Sequence, residues 1–228
     1  MSKVTYPIFK VADRIFFKTE ENYALLDTGF PRSASVNGKI GPFGAGFAPN
    51  EFFDNFINLT IPDSSKVKAI LSPMDGFNCL LTPDGITITD ENEAIPENDY
   101  FLPFVQRKLP IVEGSMNGTP IRFFFDSGAR MTMFGETELT CGRPSTGSYT
   151  EWMALLSRNA TLSIYDVALD FPCGLHYEGK SAFVQDREYL MAGQWMGIRA
   201  MLGIDVFNKY DLYISITNQQ RGIALKRR

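Results

Sequence analysis

Tyr23-Ala24-Leu25-Leu26-Asp27-Thr28-Gly29 is a short apolar run that breaks off at an aspartate, a hydroxyl residue and a glycine. It has a counterpart later in the chain, Ile121-Arg122-Phe123-Phe124-Phe125-Asp126-Ser127-Gly128. Each reads as a buried strand that ends in a tight turn. A second pair follows at some distance, Lys68-Ala69-Ile70-Leu71-Ser72-Pro73-Met74-Asp75-Gly76-Phe77-Asn78 and Arg199-Ala200-Met201-Leu202-Gly203-Ile204-Asp205-Val206-Phe207-Asn208. Each of these leads into a β-rich hairpin, through Cys79 to Ile88 in the first case and Leu212 to Leu225 in the second. Two series of segments in the same order read as diverged copies of one unit.

Working outward, apolar runs are short, rich in Val, Ile, Phe and Tyr, and punctuated by turn residues about every ten positions. The expected fold is mainly β, with two repeated β-lobes related by pseudo-twofold symmetry and a cleft between them. The polar stretch Asp90 to Asp99, with four acidic residues in Asp90, Glu91, Glu93 and Glu97 before Asp99 closes it, reads as the linker. It places the lobes at residues 1–95 and 96–228; a single continuous β-domain with this stretch as a surface loop is the alternative. One exception to the β pattern is Ser148 to Arg158, where Ser148-x-x-Glu151 ahead of Trp152-Met153-Ala154-Leu155-Leu156 resembles a capping box and predicts a short helix.

The composition narrows the chemistry. A chain of 228 residues, 44% of them hydrophobic, has enough apolar material for one large or two small cores. With 22 Lys and Arg against 26 Asp and Glu, and a basic run confined to Lys226-Arg227-Arg228, nucleic acid is not an expected partner and the basic end reads as a solubilising tail. Cys79, Cys141 and Cys173 lack the close paired spacing of zinc ribbons and of disulfide scaffolds. A reducing compartment fits them, and with no apolar leader or spanning run in view the expectation is a cytoplasmic protein without membrane contact. The one histidine, His176, lies in Gly174-Leu175-His176-Tyr177-Glu178-Gly179, which reads as a surface hairpin turn. It leaves no histidine cluster for catalysis.

Two carboxylates at the ends of matching strands suit a different chemistry. A carboxylate on a tight turn projects into a cleft, and the glycine of the turn tolerates the backbone geometry required. The hydroxyls of Thr28 and Ser127 can hydrogen-bond across to the opposite half. If the turns meet at a twofold axis, Asp27 and Asp126 cannot both ionise easily and share one proton. The ionised member can then activate a water for attack on a peptide carbonyl while the protonated member polarises the carbonyl oxygen, with no covalent intermediate, metal or other cofactor.

On these residues the chain resembles the aspartic proteases, both the two-lobed pepsin-like and the retropepsin-like enzymes. Ala200 to Ile214, followed by Arg221-Gly222-Ile223-Ala224-Leu225, resembles the end of a pepsin-like lobe, where an apolar-apolar-Gly motif, here ending in Leu202-Gly203, supports the catalytic turn. The length is close to two retropepsin-type halves fused in one chain. The resemblance implies Asp27 and Asp126 as catalytic residues, Thr28, Gly29, Ser127 and Gly128 as supports of the catalytic turns, a peptide or protein as substrate, and no resident metal. A flap over the cleft is then expected, with Gly41-Pro42-Phe43-Gly44-Ala45-Gly46-Phe47 as its candidate; the absence of Gly-x-x-x-x-Gly-Lys-Ser/Thr argues against a phosphate-binding role for that loop.

Two departures from the family pattern stand out. Phe30 follows Gly29 where the family has a small residue, while Ala129 fits; and Ser72-Pro73 stands where a supporting glycine is expected, which predicts a distorted first half. Both would suit a catalytically inactive relative that binds peptides or a protein partner in the cleft. A third class, metal-dependent hydrolysis recruiting Asp75, Asp205 and Asp211, competes with a reading of Asp75 and Asp205 as capping residues after the supporting motifs.

Overall fold

The apolar runs fold as strands because their side chains alternate between two buried faces. In the computed structural model, which describes residues 3–11, 13–20, 22–56, 67–153, 158–184 and 197–228, the first part of the chain forms β1 (Lys3–Tyr6), β2 (Ile8–Val11), β3 (Arg14–Lys18), β4 (Tyr23–Leu26), β5 (Ala34–Ser35), β6 (Lys39–Ile40), β7 (Phe43–Gly44), β8 (Gly46–Phe47), helix α1 (Asn50–Phe56), β9 (Val67–Leu71), β10 (Asn78–Thr82) and β11 (Gly85–Thr89). Within β4, Ala24 and Leu26 face the main core while Leu25 faces a separate cluster with Phe16, Phe53, Val67 and Ile70. That is the period-two pattern of a strand covered on both sides.

The second part continues as β12 (Tyr100–Pro103), β13 (Ile111–Met116), β14 (Thr119–Phe125), β15 (Met133–Phe134), β16 (Gly147–Met153), β17 (Arg158–Asp170), β18 (His176–Phe183), β19 (Ile198–Leu202), β20 (Tyr210–Ser215) and β21 (Gly222–Arg227). The protein is mainly β. Asn117-Gly118, both with positive φ (51° and 79°), closes the β13–β14 hairpin between paired Met116 and Thr119, the turn chemistry that matches the twist of the strands.

The pairings that carry the two Asp turns recur. β4 runs parallel to β9, β9 is antiparallel to β5, and β5 is parallel to β8. Likewise β14 runs parallel to β19, β19 is antiparallel to β15, and β15 is parallel to β18. A third sheet, ordered β1-β11-β10-β20-β21-β12, draws strands from both ends of the chain and joins them at β10–β20.

Asn78 fastens that junction. Fully buried, its Oδ1 accepts from the amides of Ile216 and Thr217 at 2.7 and 3.0 Å, and its Nδ2 donates to the Glu91 carbonyl at 2.9 Å and the Thr217 hydroxyl at 2.6 Å. Asn208, its partner in the sequence comparison, is exposed and meets Lys10 instead. Asn78→Ala strands several buried polar groups and is expected to cost about 3 to 5 kcal/mol, read as a lower midpoint in urea with an unchanged slope.

Two expectations are corrected here. Ser148 to Met153 is not helical: it is the strand β16, with Ser148 opposite Ser163 and Tyr149 opposite Leu162 on β17. The local signal loses to the antiparallel pairing with β17; residues 154–157 of the expected helix lie outside the described residues. The basic end is not a free tail, because Arg227 lies in β21 with its guanidinium over the Tyr100 ring at 5.2 Å and Arg228 pairs with Asp211 at 2.9 Å. The helix α1 lies in a stretch the repeat left unassigned; Asn50-Glu51 after Pro49 starts it, and its seven residues are too short to show helical periodicity. Among the described residues no helix is long and apolar enough to cross a membrane.

Candidate active site

Parallel neighbours hold both turns in the same way. The Asp27 amide donates to the Leu71 carbonyl at 3.0 Å, and the Asp126 amide donates to the Leu202 carbonyl at 3.0 Å. Each Asp therefore leaves its strand beside the last residue of β9 or β19. Gly203 is required by close approach, since a Cβ there would stand 2.6 Å from the Met131 carbonyl carbon. Ser72, in the equivalent place, is accommodated and donates its hydroxyl to the Phe30 carbonyl at 2.5 Å. The Asp amides are held alike, but the turns differ beyond them: the Asp27 carboxylate accepts from the Phe30 amide and that of Asp126 from Gly128, and the Ala129 amide donates to the Asp126 carbonyl.

The turns interlock. The Thr28 amide donates to the Ser127 hydroxyl at 3.0 Å, and the Ser127 amide donates to the Thr28 hydroxyl at 2.9 Å. Each hydroxyl then donates onward across the boundary, Thr28 to the Phe125 carbonyl at 3.0 Å and Ser127 to the Leu26 carbonyl at 3.2 Å. Both side chains are buried. Gly29 and Gly128 are glycines for lack of space and not for positive φ. A Cβ on Gly29 would lie 2.6 Å from the Asp126 carboxyl carbon, and one on Gly128 would lie 2.7 Å from that of Asp27.

The two carboxyls face each other across the turns, each against the glycine of the opposite turn, so that one proton on the pair is favoured over two charges. Burial, and then the Asp126 charge, raises Asp27 well above the usual carboxylate range, against the pull of the Gly29 and Phe30 amides, the latter 3.0 Å from Oδ1. Burial also raises Asp126, but the hydrogen bond from Asp27, the Gly128 and Ala129 amides and the Arg14 charge oppose it; the Gly128 amide lies 2.8 Å from Oδ1. Both carboxyls are therefore held above the usual range by burial, with more opposing hydrogen bonds and charge at Asp126 than at Asp27.

The remaining candidates fall elsewhere. Phe30 joins the aromatic cluster of α1, with its ring 5.9 Å from that of Phe52. Gly41-Pro42 is the turn of the short β6–β7 hairpin, whose Ile40 and Phe43 are buried in the main core, with Phe43 5.1 Å from Phe77. That packing is at odds with a flap there. His176 opens β18, exposed, with Nδ1 2.7 Å from Asp170 and Nε2 3.5 Å from Glu178, and its pKa is raised chiefly by the Asp170 hydrogen bond.

Asp75 and Asp205 neither cap their short helical turns nor gather with other ligands; among the described residues no group of three or more such side chains could hold a metal. They reach back to the start of β5 and β15. Asp75 accepts from the Ser33 amide at 3.2 Å, and Asp205 from the Thr132 amide at 3.0 Å and hydroxyl at 3.1 Å. Ser33 and Thr132 in turn accept the Ser72 and Gly203 amides, each at 3.1 Å. This link behind each Asp turn, through the Ser33 amide in the first half and the Thr132 amide and hydroxyl in the second, was missed in the sequence; its only signal was the matching of Asp75 with Asp205.

Asp205 also accepts from the Tyr177 hydroxyl at 3.3 Å, and burial, the largest influence on it, raises its pKa to about 6. A carboxyl raised in the fold above its unfolded value destabilises the protein as pH rises from about 4 to about 6, and above that the cost is up to about 3 kcal/mol. Asp205→Asn keeps the Oδ1 acceptor. It is expected to raise the melting temperature at pH 7.5, with the gain vanishing by pH 4; a gain independent of pH would contradict this origin.

No protein-family profile matches the sequence, and no curated protein matches it. Among solved structures, the chain is similar to a retropepsin-like aspartic protease from Rickettsia conorii, at 10% identity and a TM-score of 0.37, over 55% of this chain and 87% of that one.

Proposed function

We propose that the protein hydrolyses peptide bonds by the aspartic mechanism, with residues 1–95 and 96–228 as two lobes that each contribute one turn to the dyad. The observation that carries this reading is the placing of the Asp27 and Asp126 carboxyls, each against the glycine of the opposite turn, by interlocked turns. Asp126 takes a proton from the attacking water while Asp27 donates its proton to the carbonyl oxygen. Collapse of the tetrahedral diol then returns a proton to the leaving amine. The substrate is an extended peptide segment lying across the two turns. Its cover is assigned to the β16–β17 hairpin, whose Tyr149 hydroxyl and Thr150 carbonyl accept from Arg130 at 2.5 and 3.2 Å, four residues past Asp126.

The competing reading, a peptide binder without catalysis, drew on Phe30 and Ser72; the first packs into the α1 cluster, and beside the second the Asp27 amide keeps its bond to Leu71. The test is cleavage of a mixed peptide library in 18O-labelled water. Labelled new carboxyl termini, blocked by a statine-type inhibitor and unaffected by a chelator, are the expected result; cleavage insensitive to the inhibitor or abolished by the chelator would refute the reading.

A further inference from the structure

The two turns match in the bonds of the Asp amides and of the Thr28 and Ser127 hydroxyls, but their charge surroundings differ. In the β3–β4 register Phe16 faces Leu25, so Arg14, two residues before Phe16, comes level with Asp27. In the β13–β14 register Ile111 faces Phe124, so the residue level with Asp126 is Leu109. One side of the dyad carries a cation where the other carries a hydrocarbon. Arg14 does not stay with its own turn. Its Nε donates to the Gly128 carbonyl at 2.9 Å, a partly buried contact between residues far apart in sequence. Gly128 in turn donates its amide to Asp126. Among the described residues, the titratable groups that act on Asp126 include Asp27, across the turn, and Arg14, from β3. Arg130 is engaged with the β16–β17 hairpin, its guanidinium 4.6 Å from the Tyr149 ring.

We infer that Arg14 is a positioning residue that makes the dyad unequal: its guanidinium holds the Asp126 turn at the Gly128 carbonyl and directs the single proton to Asp27, leaving Asp126 as the base. The physical reason is that two carboxyls in like surroundings share a proton evenly, and a fixed positive charge on one side removes that degeneracy. A dyad whose base is already ionised and whose acid is already protonated does not have to redistribute its proton before it can act. The inference rests on the reading of Asp27 and Asp126 as one proton-sharing pair.

The experiment compares the parent with Arg14→Gln, which keeps a hydrogen-bond donor but removes the charge, and Arg14→Lys, which keeps the charge. Carbon-13 labelling of the aspartate side chains, with signals assigned through Asp27→Asn and Asp126→Asn, follows each carboxyl as pH is varied. The expected result is that Asp126 titrates first in the parent and in the lysine variant, and at a distinctly higher pH in the glutamine variant. In a peptide-cleavage assay the glutamine variant should lose about tenfold in kcat/KM on the acid side of its optimum, with the alkaline side little changed. A merely structural role would lower both sides alike. An Asp126 titration in Arg14→Gln identical to the parent overturns the inference. If the glutamine variant does not fold, the lysine variant decides: the parent's order of titration supports the inference and a reversed order overturns it. Absence of cleavage by the parent would defeat the proposed function, while the carboxyl titrations still decide the role of Arg14.

Discussion

Asp126→Asn and Asp27→Asn are each expected to lower kcat/KM for peptide cleavage by at least about a thousandfold. An amide at position 126 cannot take a proton from water. An amide at position 27 can offer a hydrogen bond to the carbonyl oxygen but cannot transfer a proton to it. Neither exchange should harm the fold, because the parent holds one of these carboxyls protonated in place, and an amide meets the same backbone donors at Phe30 and Gly128. Because the pair acts as a unit, the double variant should be scarcely slower than either single one. The check is steady-state cleavage beside a thermal melt of each variant. More than a tenth of parent activity in either single variant, with melting unchanged, would put the chemistry elsewhere.

Thr28→Val is expected to give the second large effect, on stability. The exchange nearly conserves volume at a site that is 1% exposed. It deletes the acceptor for the Ser127 amide and the donor to the Phe125 carbonyl, both buried. Two backbone groups left without partners cost on the order of 3 to 5 kcal/mol together. Thr28→Ser keeps the hydroxyl and should cost only about 1 kcal/mol, the value of a buried methyl. Urea denaturation of the three proteins separates the contributions. A valine variant no weaker than the serine variant would mean that the interlock contributes little.

Much of the site was legible in the sequence, because an Asp-Thr/Ser-Gly turn after an apolar strand is a local pattern and its recurrence implied facing turns. The hydroxyl bonds of Thr28 and Ser127 across the boundary followed from the same reasoning. The glycines were read for the wrong reason: Gly29 and Gly128 make room for the opposing carboxyls and do not need positive φ. The β16 strand was misread because Ser148-x-x-Glu151 is a four-residue signal, whereas its pairing with β17 is decided by residues on the other arm of the hairpin. Arg14 carried no local signal at all, since its meaning lies in a contact with Gly128 on the far side of the linker. Asp75 and Asp205 were matched correctly but assigned to capping; their carboxylates reach β5 and β15, which only the antiparallel pairing of those strands with β9 and β19 brings near.

The shared proton makes a specific demand on the pH dependence. Activity should fall in acid as Asp126 takes up a proton and fall again at higher pH as Asp27 loses its own. With Asp27 held well above the usual range by burial and by its neighbour's charge, the second limb belongs beyond ordinary carboxylate titration. The most direct measurement is therefore the rate at which the unmodified protein cleaves a denatured protein substrate from acid to neutral pH. A bell-shaped profile that disappears in both asparagine variants is the predicted result; bound peptide with no cleavage at any pH in that range would contradict the account.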